Sequence, residues 1–409
     1  MASPERDPDR RIPGAVFAIA AAATVLVAFA ASPVPRITPD SAVYLTGAES
    51  IADSGKFAGC EREITEYAPG YPAALAVFVT AGLGAPDAAR IVNALATAIL
   101  VLLAAALARS ATLGSTATIL VSLATAAAPV TFRNGAAVWS EQLFCALLAA
   151  LLVTTVNSGR GLEARVSRRI GLVLLLAWAL LYTRYSGLFV VPAILLASWL
   201  GSRDLPQRAL RVASLAAGIL AVPALWYLRN VDAGTGPFGS RSGSGDSFDE
   251  TLRQLPDGLS SIILPVDTPL GLRFAVFVPL ALAAALALRR PLELVPTVLW
   301  VVVGAYVVGI AYAATRTILD PVDARLLSPI FVPGAVLVAV GVTRLRGQVE
   351  APLRRALRLW AVAVVISMVV IAPGVVWYLH DVDRELVLDF PVSCADWPAR
   401  YDLLRAPSP

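Results

Sequence analysis

Residues 15–72 read AVFAIAAAATVLVAFAASPVPRITPDSAVYLTGAESIADSGKFAGCEREITEYAPGYP. The first part, Ala15–Ala31, is an unbroken apolar run preceded by Arg10 and Arg11. It approaches the ~20 residues that cross a bilayer and is long enough to remain as an anchor. The second part, residues 36–72, is the first long polar interruption of a very apolar chain. Thr38-Pro39-Asp40 reads as a helix start, with Thr38 as N-cap, Pro39 at the first helical position and Asp40 in the first turn. Val43, Ala48 and Ile51 recur at roughly helical spacing, and Gly55 supplies the stop. The stretch predicts a short amphipathic helix on the membrane surface with one carboxylate at its head.

Working outward, the composition of the whole 409-residue chain agrees with a membrane solvent. It is 57% hydrophobic and 15% charged, with mean hydropathy +0.73. A soluble chain of this length could not hide that much apolar surface. In lipid every backbone amide needs an internal partner, which leaves helices or a closed barrel. The runs are continuous Ala/Leu/Val without two-residue alternation, so helices are expected.

Crossings are expected near residues 13–32, 87–108, 115–132, 142–157, 212–228, 273–288, 293–313, 326–343 and 359–379, with two more in 170–200 hinged at Thr183-Arg184-Tyr185. Tyr71–Leu83 is apolar but short, so a second surface helix is expected there. The expectation is an all-α polytopic membrane protein of about eleven transmembrane helices plus short interfacial helices. It forms a single domain over 1–409, with extracytoplasmic segments at 33–86 and 229–272 and an extracytoplasmic tail at 380–409. The loop TFRNGAAVWSE, carrying Arg133, Trp139 and Glu141, is expected on the same side. In the 229–272 loop, Gly234–Ser247 reads as a Gly/Ser-rich front and Phe248, Leu252, Leu255 and Leu259 as an interfacial face.

Arginines set the orientation. Arg160, Arg165, Arg168 and Arg169, then Arg203, Arg208 and Arg211, then Arg344, Arg346, Arg354, Arg355 and Arg358 fall between spans on one side. A plasma-membrane protein with a cytoplasmic N-terminus and an extracytoplasmic C-terminus is expected. The net charge of +4 belongs to these connectors and gives no nucleic-acid signal.

There is no P-loop, no GxGxxG after a strand, no HExxH and no CxxC pair. The only histidine, His380, lies past the last span. No inner connector is large enough for a nucleotide-binding domain, so an activated substrate would arrive attached to a lipid. The three cysteines have no metal spacing; Cys60 and Cys394 share the outer side, where a disulfide is open to them, and Cys145 reads as a small core residue. No cofactor is called for, and a divalent metal has no support from ligand spacing.

What remains for chemistry is carboxylates and arginines on one side: Asp40, Glu49, Asp53, Glu61, Glu63, Glu66 and Glu141 with Arg133, Arg184, Arg229, Arg316 and Arg325. Guanidinium matches phosphate through two parallel donors. A carboxylate can take the proton of an acceptor hydroxyl. Each residue has a plainer reading beside this one. Asp40 suits a first-turn helix dipole. Arg184 and Arg325 suit snorkelling anchors, and Arg229 a helix C-terminus. Glu141 suits an interfacial N-terminal charge. Tyr67, Tyr71 and Trp139 suit an aromatic belt.

The order of five segments resembles the GT-C superfamily of membrane glycosyltransferases, in particular its protein-mannosyltransferase-like family 39 branch. They are Asp40-x3-Tyr44 with Ala48 and Gly55; Tyr67-Ala-Pro-Gly-Tyr71-Pro72 with Ala89-Arg90-Ile91-Val92-Asn93; Trp139-Ser-Glu141; Thr183-Arg184-Tyr185-Ser186-Gly187 with Trp226-Tyr-Leu-Arg229-Asn230; and Asp323-Ala-Arg325-Leu-Leu-Ser-Pro329. The resemblance implies a polyprenyl-phosphate-linked sugar as donor, mannose or another hexose or pentose. It implies a glycan, lipid or protein acceptor at the cell envelope, an inverting reaction on the extracytoplasmic face, and Asp40 as catalytic base. Arg325, Arg184 and Arg229 would face the donor phosphate. Glu141, Tyr44, Tyr67 and Tyr71 would face the acceptor or the sugar, or supply a second acid. Ser41 stands where many family members carry the second member of an acidic pair. The competing classes are a transporter or flippase of polyprenyl-linked sugars, a glycan polymerase, and a non-catalytic assembly subunit.

Overall fold

The computed structural model describes residues 11–59, 63–158, 163–200, 205–239, 245–265, 268–288, 293–317, 321–344 and 351–381. These residues fold as helices joined by short turns, with isolated backbone bridges and no β-strand among them. The first apolar run is α1 (Gly14–Ala30) and the polar stretch behind it is α2 (Pro39–Ser54). Thr38 caps α2, its backbone N–H donating to Ser41 Oγ at 2.9 Å, and the helix ends on Gly55 at φ +71°. That left-handed conformation favours glycine. The helix expected from Thr38 to Gly55 is therefore present, capped at both ends as its sequence requires.

The chain continues through α3 (Gly70–Thr80), α4 (Ala85–Ser110), α5 (Ser115–Ala127), α6 (Pro129–Ala136), α7 (Glu141–Ser158), α8 (Glu163–Thr183) and α9 (Val191–Leu200). It closes with α10 (Leu205–Asp232), α11 (Phe248–Ser260), α12 (Leu270–Leu286), α13 (Leu294–Ala314), α14 (Ala324–Leu327), α15 (Phe331–Arg344) and α16 (Ala351–Asp381). With 11 residues, α3 is too short to span a bilayer. Among the described residues, five helices are long and apolar enough to cross by themselves: α4, Pro206–Asp232, α13, Ala324–Arg344 and Arg355–Asp381. The α5–α6 pair makes a sixth, and α1, α7, α8, α9 and α12 are shorter apolar helices. Together these fall on the segments read as crossings, and the protein is an all-α polytopic membrane protein.

Two local expectations are corrected. The third span does not run straight to residue 132. It ends at Ala127, and Pro129, which lacks an amide hydrogen and sits at the first position of a new helix, starts α6 at a 46° bend. Residues 131–136 of the expected outer loop are consequently helical and mostly buried. The tail beyond Asp381 and both Cys60 and Cys394 lie outside the described residues, as does any disulfide between them.

Without a hydrophobic drive between helices in lipid, association rests on close packing and interhelical polar bonds. The bundle has both. α1 packs on α4, α4 on α7, α7 on α8, α9 on α13 and α12 on α15. Val27, Leu107, Phe144, Leu151, Val298, Tyr306 and Val336 are fully buried between them. Gln142 Nε2 donates to Thr97 Oγ1 at 2.8 Å, Trp178 Nε1 to the Gly218 carbonyl at 2.9 Å and Tyr182 Oη to the Val222 carbonyl at 3.0 Å. Such bonds contribute roughly 0.6–2 kcal/mol each. Gly70 marks a close approach: a Cβ there would lie 2.7 Å from the Tyr182 carbonyl and 2.9 Å from Thr183 N. The start of α3 thus rests directly on the backbone of the 183–185 hinge.

Candidate active site

Asp40 opens α2, Glu141 opens α7, Arg184 sits at the break between α8 and the 3-10 turn Tyr185–Val190, and Arg325 lies in α14. All four are at helix ends. The fold brings them to one place. Arg325 Nη1 donates to Asp40 Oδ2 at 2.9 Å, and its Nε lies 3.4 Å from Glu141 Oε1. Arg184 Nη1 lies 2.5 Å from the same Glu141 oxygen and 3.0 Å from Ser140 Oγ. Tyr67 Oη donates to Asp40 Oδ1 at 2.6 Å. The Arg325 guanidinium also lies 4.8 Å from the centre of the Trp139 ring, a cation–π distance.

Local chemistry explains each placement. Asp323 caps α14, its Oδ1 accepting the Leu326 N–H at 3.1 Å, and this fixes the turn on which Arg325 stands. Arg36 forms a backbone bridge with the 136–138 segment, its N–H donating to the Ala136 carbonyl and its carbonyl accepting from Val138 N–H, both at 2.9 Å. That bridge ties the approach to α2 against the approach to α7. Trp139 Nε1 donates to Thr38 Oγ1 at 3.0 Å, and Ser41 Oγ donates to the Val138 carbonyl at 3.1 Å. Thr38 and Ser41 therefore both cap α2 and fasten it to the start of α7.

Glu141 is 2% exposed, Arg325 10%, Arg184 17% and Asp40 25%. Two carboxylates and two guanidinium groups share a site that grades from buried to open. Buried charges survive only when paired, and here both acids are. Glu141 Oε2 is buried without a hydrogen-bond partner among the described residues.

The tyrosines divide. Tyr44 stands edge-on to both Tyr67 and Tyr71, at ring centroid distances of 5.3 and 5.2 Å, and its hydroxyl is 3.2 Å from Ser140 Oγ. Burial pushes the Tyr44 phenol up to about 12. Tyr71 turns away from the acids and donates to Asn93 Oδ1 at 3.2 Å, while Asn93 Nδ2 donates to the Ala137 carbonyl at 2.7 Å.

Arg229 is placed elsewhere. It pairs with Glu63 at 2.8 Å, donates to the Ile64 and Phe57 carbonyls at 2.7 and 3.4 Å, and stacks over Trp226 at 4.5 Å. Its neighbours reinforce it. Asn230 Nδ2 donates to Tyr185 Oη at 3.1 Å, and Tyr185 Oη donates to the Thr65 carbonyl at 2.9 Å. The end of α10 therefore grips the segment that leads to Tyr67 and does not join the Asp40 cluster. Sequence reasoning did not single out Ser140, which Tyr44 and Arg184 share, nor the bond from Tyr67 to Asp40. Ser140 lies inside the Trp139-Ser-Glu141 segment, which was the available signal.

Among the described residues no three His, Cys, Asp or Glu side chains are grouped to hold a metal ion. Both site carboxylates are paired with arginines.

No protein-family model matches the chain, and no curated protein matches it in sequence. Its structure does have relatives. It is similar to ArnT from Cupriavidus metallidurans, solved bound to undecaprenyl phosphate, at 18% identity and a TM-score of 0.60, over 90% of this chain and 72% of that one. It is also similar to the oligosaccharyltransferase AglB from Archaeoglobus fulgidus, solved with an inhibitory peptide and a dolichol-phosphate, at 13% identity and a TM-score of 0.52. That match covers 90% of this chain and 56% of AglB, so the chain spans little more than half the archaeal protein. At these identities the likeness is one of fold: the chain has the polytopic membrane fold of these two proteins.

Proposed function

We propose that this protein is a membrane glycosyltransferase that moves a sugar from a polyprenyl phosphate to an acceptor hydroxyl on the extracytoplasmic face. One observation carries the reading: Asp40 and Arg325, far apart in the chain, meet at 2.9 Å in a part-buried site beside Glu141 and Arg184. The chemistry follows from those groups. Asp40 accepts the acceptor's hydroxyl proton as its oxygen attacks the anomeric carbon. The bond from that carbon to the phosphate oxygen breaks, the configuration inverts, and the electron pair leaves on the lipid phosphate. Arg325, with Arg184 beside it, offsets the developing charge. Glu141 holds both arginines, and its unpartnered Oε2 is the natural acceptor for a sugar hydroxyl. Tyr67 orients Asp40. Arg229 serves the reaction by holding the 57–67 segment in place.

The rival transporter reading expects ionisable residues at mid-membrane depth. Here the charges cluster at the ends of α2, α7, α8 and α14. The basic connectors, read from the sequence as cytoplasmic, support an extracytoplasmic site.

The test is reconstitution in proteoliposomes with radiolabelled polyprenyl-phosphate mannose and, separately, arabinose. Label should leave one carrier in the presence of envelope lipid and glycan acceptors, and should stay on it with Asp40→Asn. Wild-type transfer by Asp40→Asn, or no release from either carrier, overturns the proposal.

A further inference from the structure

The charges of the Asp40 cluster are already balanced within the protein. Arg325 and Arg184 carry two positive charges against the two carboxylates of Asp40 and Glu141. A phosphate monoester brings about −1.5 to −2 at neutral pH. On the reading above, which this inference extends, the departing lipid phosphate would therefore meet a site with no net positive charge of its own.

Arg133 is placed differently from these arginines. It lies on α6, the short helix that Pro129 sets at an angle to α5. Gly135 of α6 meets α1, where an added Cβ would stand 2.6 Å from Val27 Cγ1. Asn134 lines a small cavity with Gln142, Cys145 and Ser328. With 3.6 residues per turn, a residue two before Gly135 points away from α1. α6 packs against α14, which carries Arg325, and Val130 N–H of α6 donates to the Ile262 carbonyl just after α11, at 3.4 Å. Burial raises the Asp323 carboxyl at the head of α14, and Arg133 is the weakest of the charges that act on it, within electrostatic range of that helix end. Its side chain is half-buried and, among the described residues, has neither a hydrogen bond nor an ion pair. A guanidinium partly removed from water without a partner is costly to the empty protein. An incoming anion would remove that cost.

We propose that Arg133 is a second phosphate-binding position at the site end of the bundle, taking the phosphate of a membrane lipid that Arg325 and Arg184 cannot neutralise. The phosphate belongs either to the polyprenyl carrier or to a lipid acceptor, and recognition is the same: two parallel N–H donors on two phosphate oxygens.

The experiment uses the full chain in nanodiscs, as wild type, Arg133→Gln and Arg133→Lys, titrated with polyprenyl phosphate and separately with phosphatidic acid, read by native mass spectrometry. Arg133→Gln should weaken one ligand at least about tenfold, a loss of ~1.4 kcal/mol, and Arg133→Lys should fall between. Melting temperatures should not fall, because Arg133 makes no hydrogen bond or ion pair among the described residues of the empty protein. Loss on polyprenyl phosphate assigns the carrier, and loss on phosphatidic acid alone assigns the acceptor. Wild-type binding of both ligands by Arg133→Gln overturns the proposal. So does equal weakening in both variants with a lowered melting temperature, which is a structural role. Wild type that binds phosphatidic acid but no polyprenyl phosphate overturns the functional reading instead, and the phosphatidic acid arm still decides Arg133. Wild type that binds neither overturns both.

Discussion

Arg325 holds Asp40 at 2.9 Å and faces Glu141 at 3.4 Å with a different nitrogen of the same guanidinium. One side chain therefore couples the two acids of the site. Asp40→Asn keeps the shape of this contact and removes the base. Transfer should fall by about 10²–10⁴, with the protein still folded and membrane-inserted. Arg325→Lys retains the charge but cannot serve both acids in fixed geometry. It should retain more activity than Arg325→Ala and less than wild type. Release of radiolabel from the lipid carrier measures all three, and full activity in Arg325→Ala would remove this residue from the reaction.

Tyr67 should matter through Asp40. The bond between them is 2.6 Å, and hydrogen bonds to charged groups contribute about 1.5–3 kcal/mol. Tyr67→Phe should slow turnover roughly tenfold or more, with little change in donor KM, because the ring and its edge contact with Tyr44 remain. A selective rise in KM would instead place Tyr67 on the substrate.

Arg229 should affect stability of the 57–67 segment before it affects chemistry. Its pair with Glu63 is 61% exposed on the carboxylate side and contributes little, but its bonds to the Ile64 and Phe57 carbonyls are shielded. Lys56 is the single lysine of the chain and lies exposed at the edge of this segment. A lysine-specific protease should therefore cut the protein once. In Arg229→Ala that cut should come about tenfold faster, for a loss of ~1.4 kcal/mol in local stability. An unchanged rate would mean that Arg229 does not hold the segment.

Tyr44 gives a pH test. Burial raises its phenol from the ordinary 10.0 to about 12, so the folded state holds the proton more tightly than the unfolded chain. Its contribution is complete below pH 10 and is lost as pH rises from 10 towards 12. Tyr44→Phe should flatten the fall in melting temperature across that window. It should also lower the neutral-pH value slightly, through the lost contact with Ser140. An unaltered alkaline slope would show that Tyr44 ionises as freely as in the unfolded chain.

The sequence by itself determined the membrane solvent, the helical class, the approximate segments and both ends of α2. Those follow from local rules: apolar run length, an N-cap followed by proline, and a glycine that can take positive φ. The break at Ala128 was written in Pro129 but was hidden by the apolar residues around it. Only the tertiary structure decided which charges meet. Asp40, Glu141, Arg184 and Arg325 have no shared periodicity, and their convergence depends on how α2, α7, α8 and α14 stack. The same stacking sent Arg229 to the 57–67 segment and left Arg133 without a hydrogen bond or ion pair among the described residues. Guanidinium groups look alike in a sequence, and their partners are chosen by packing over distances that local pattern does not reach.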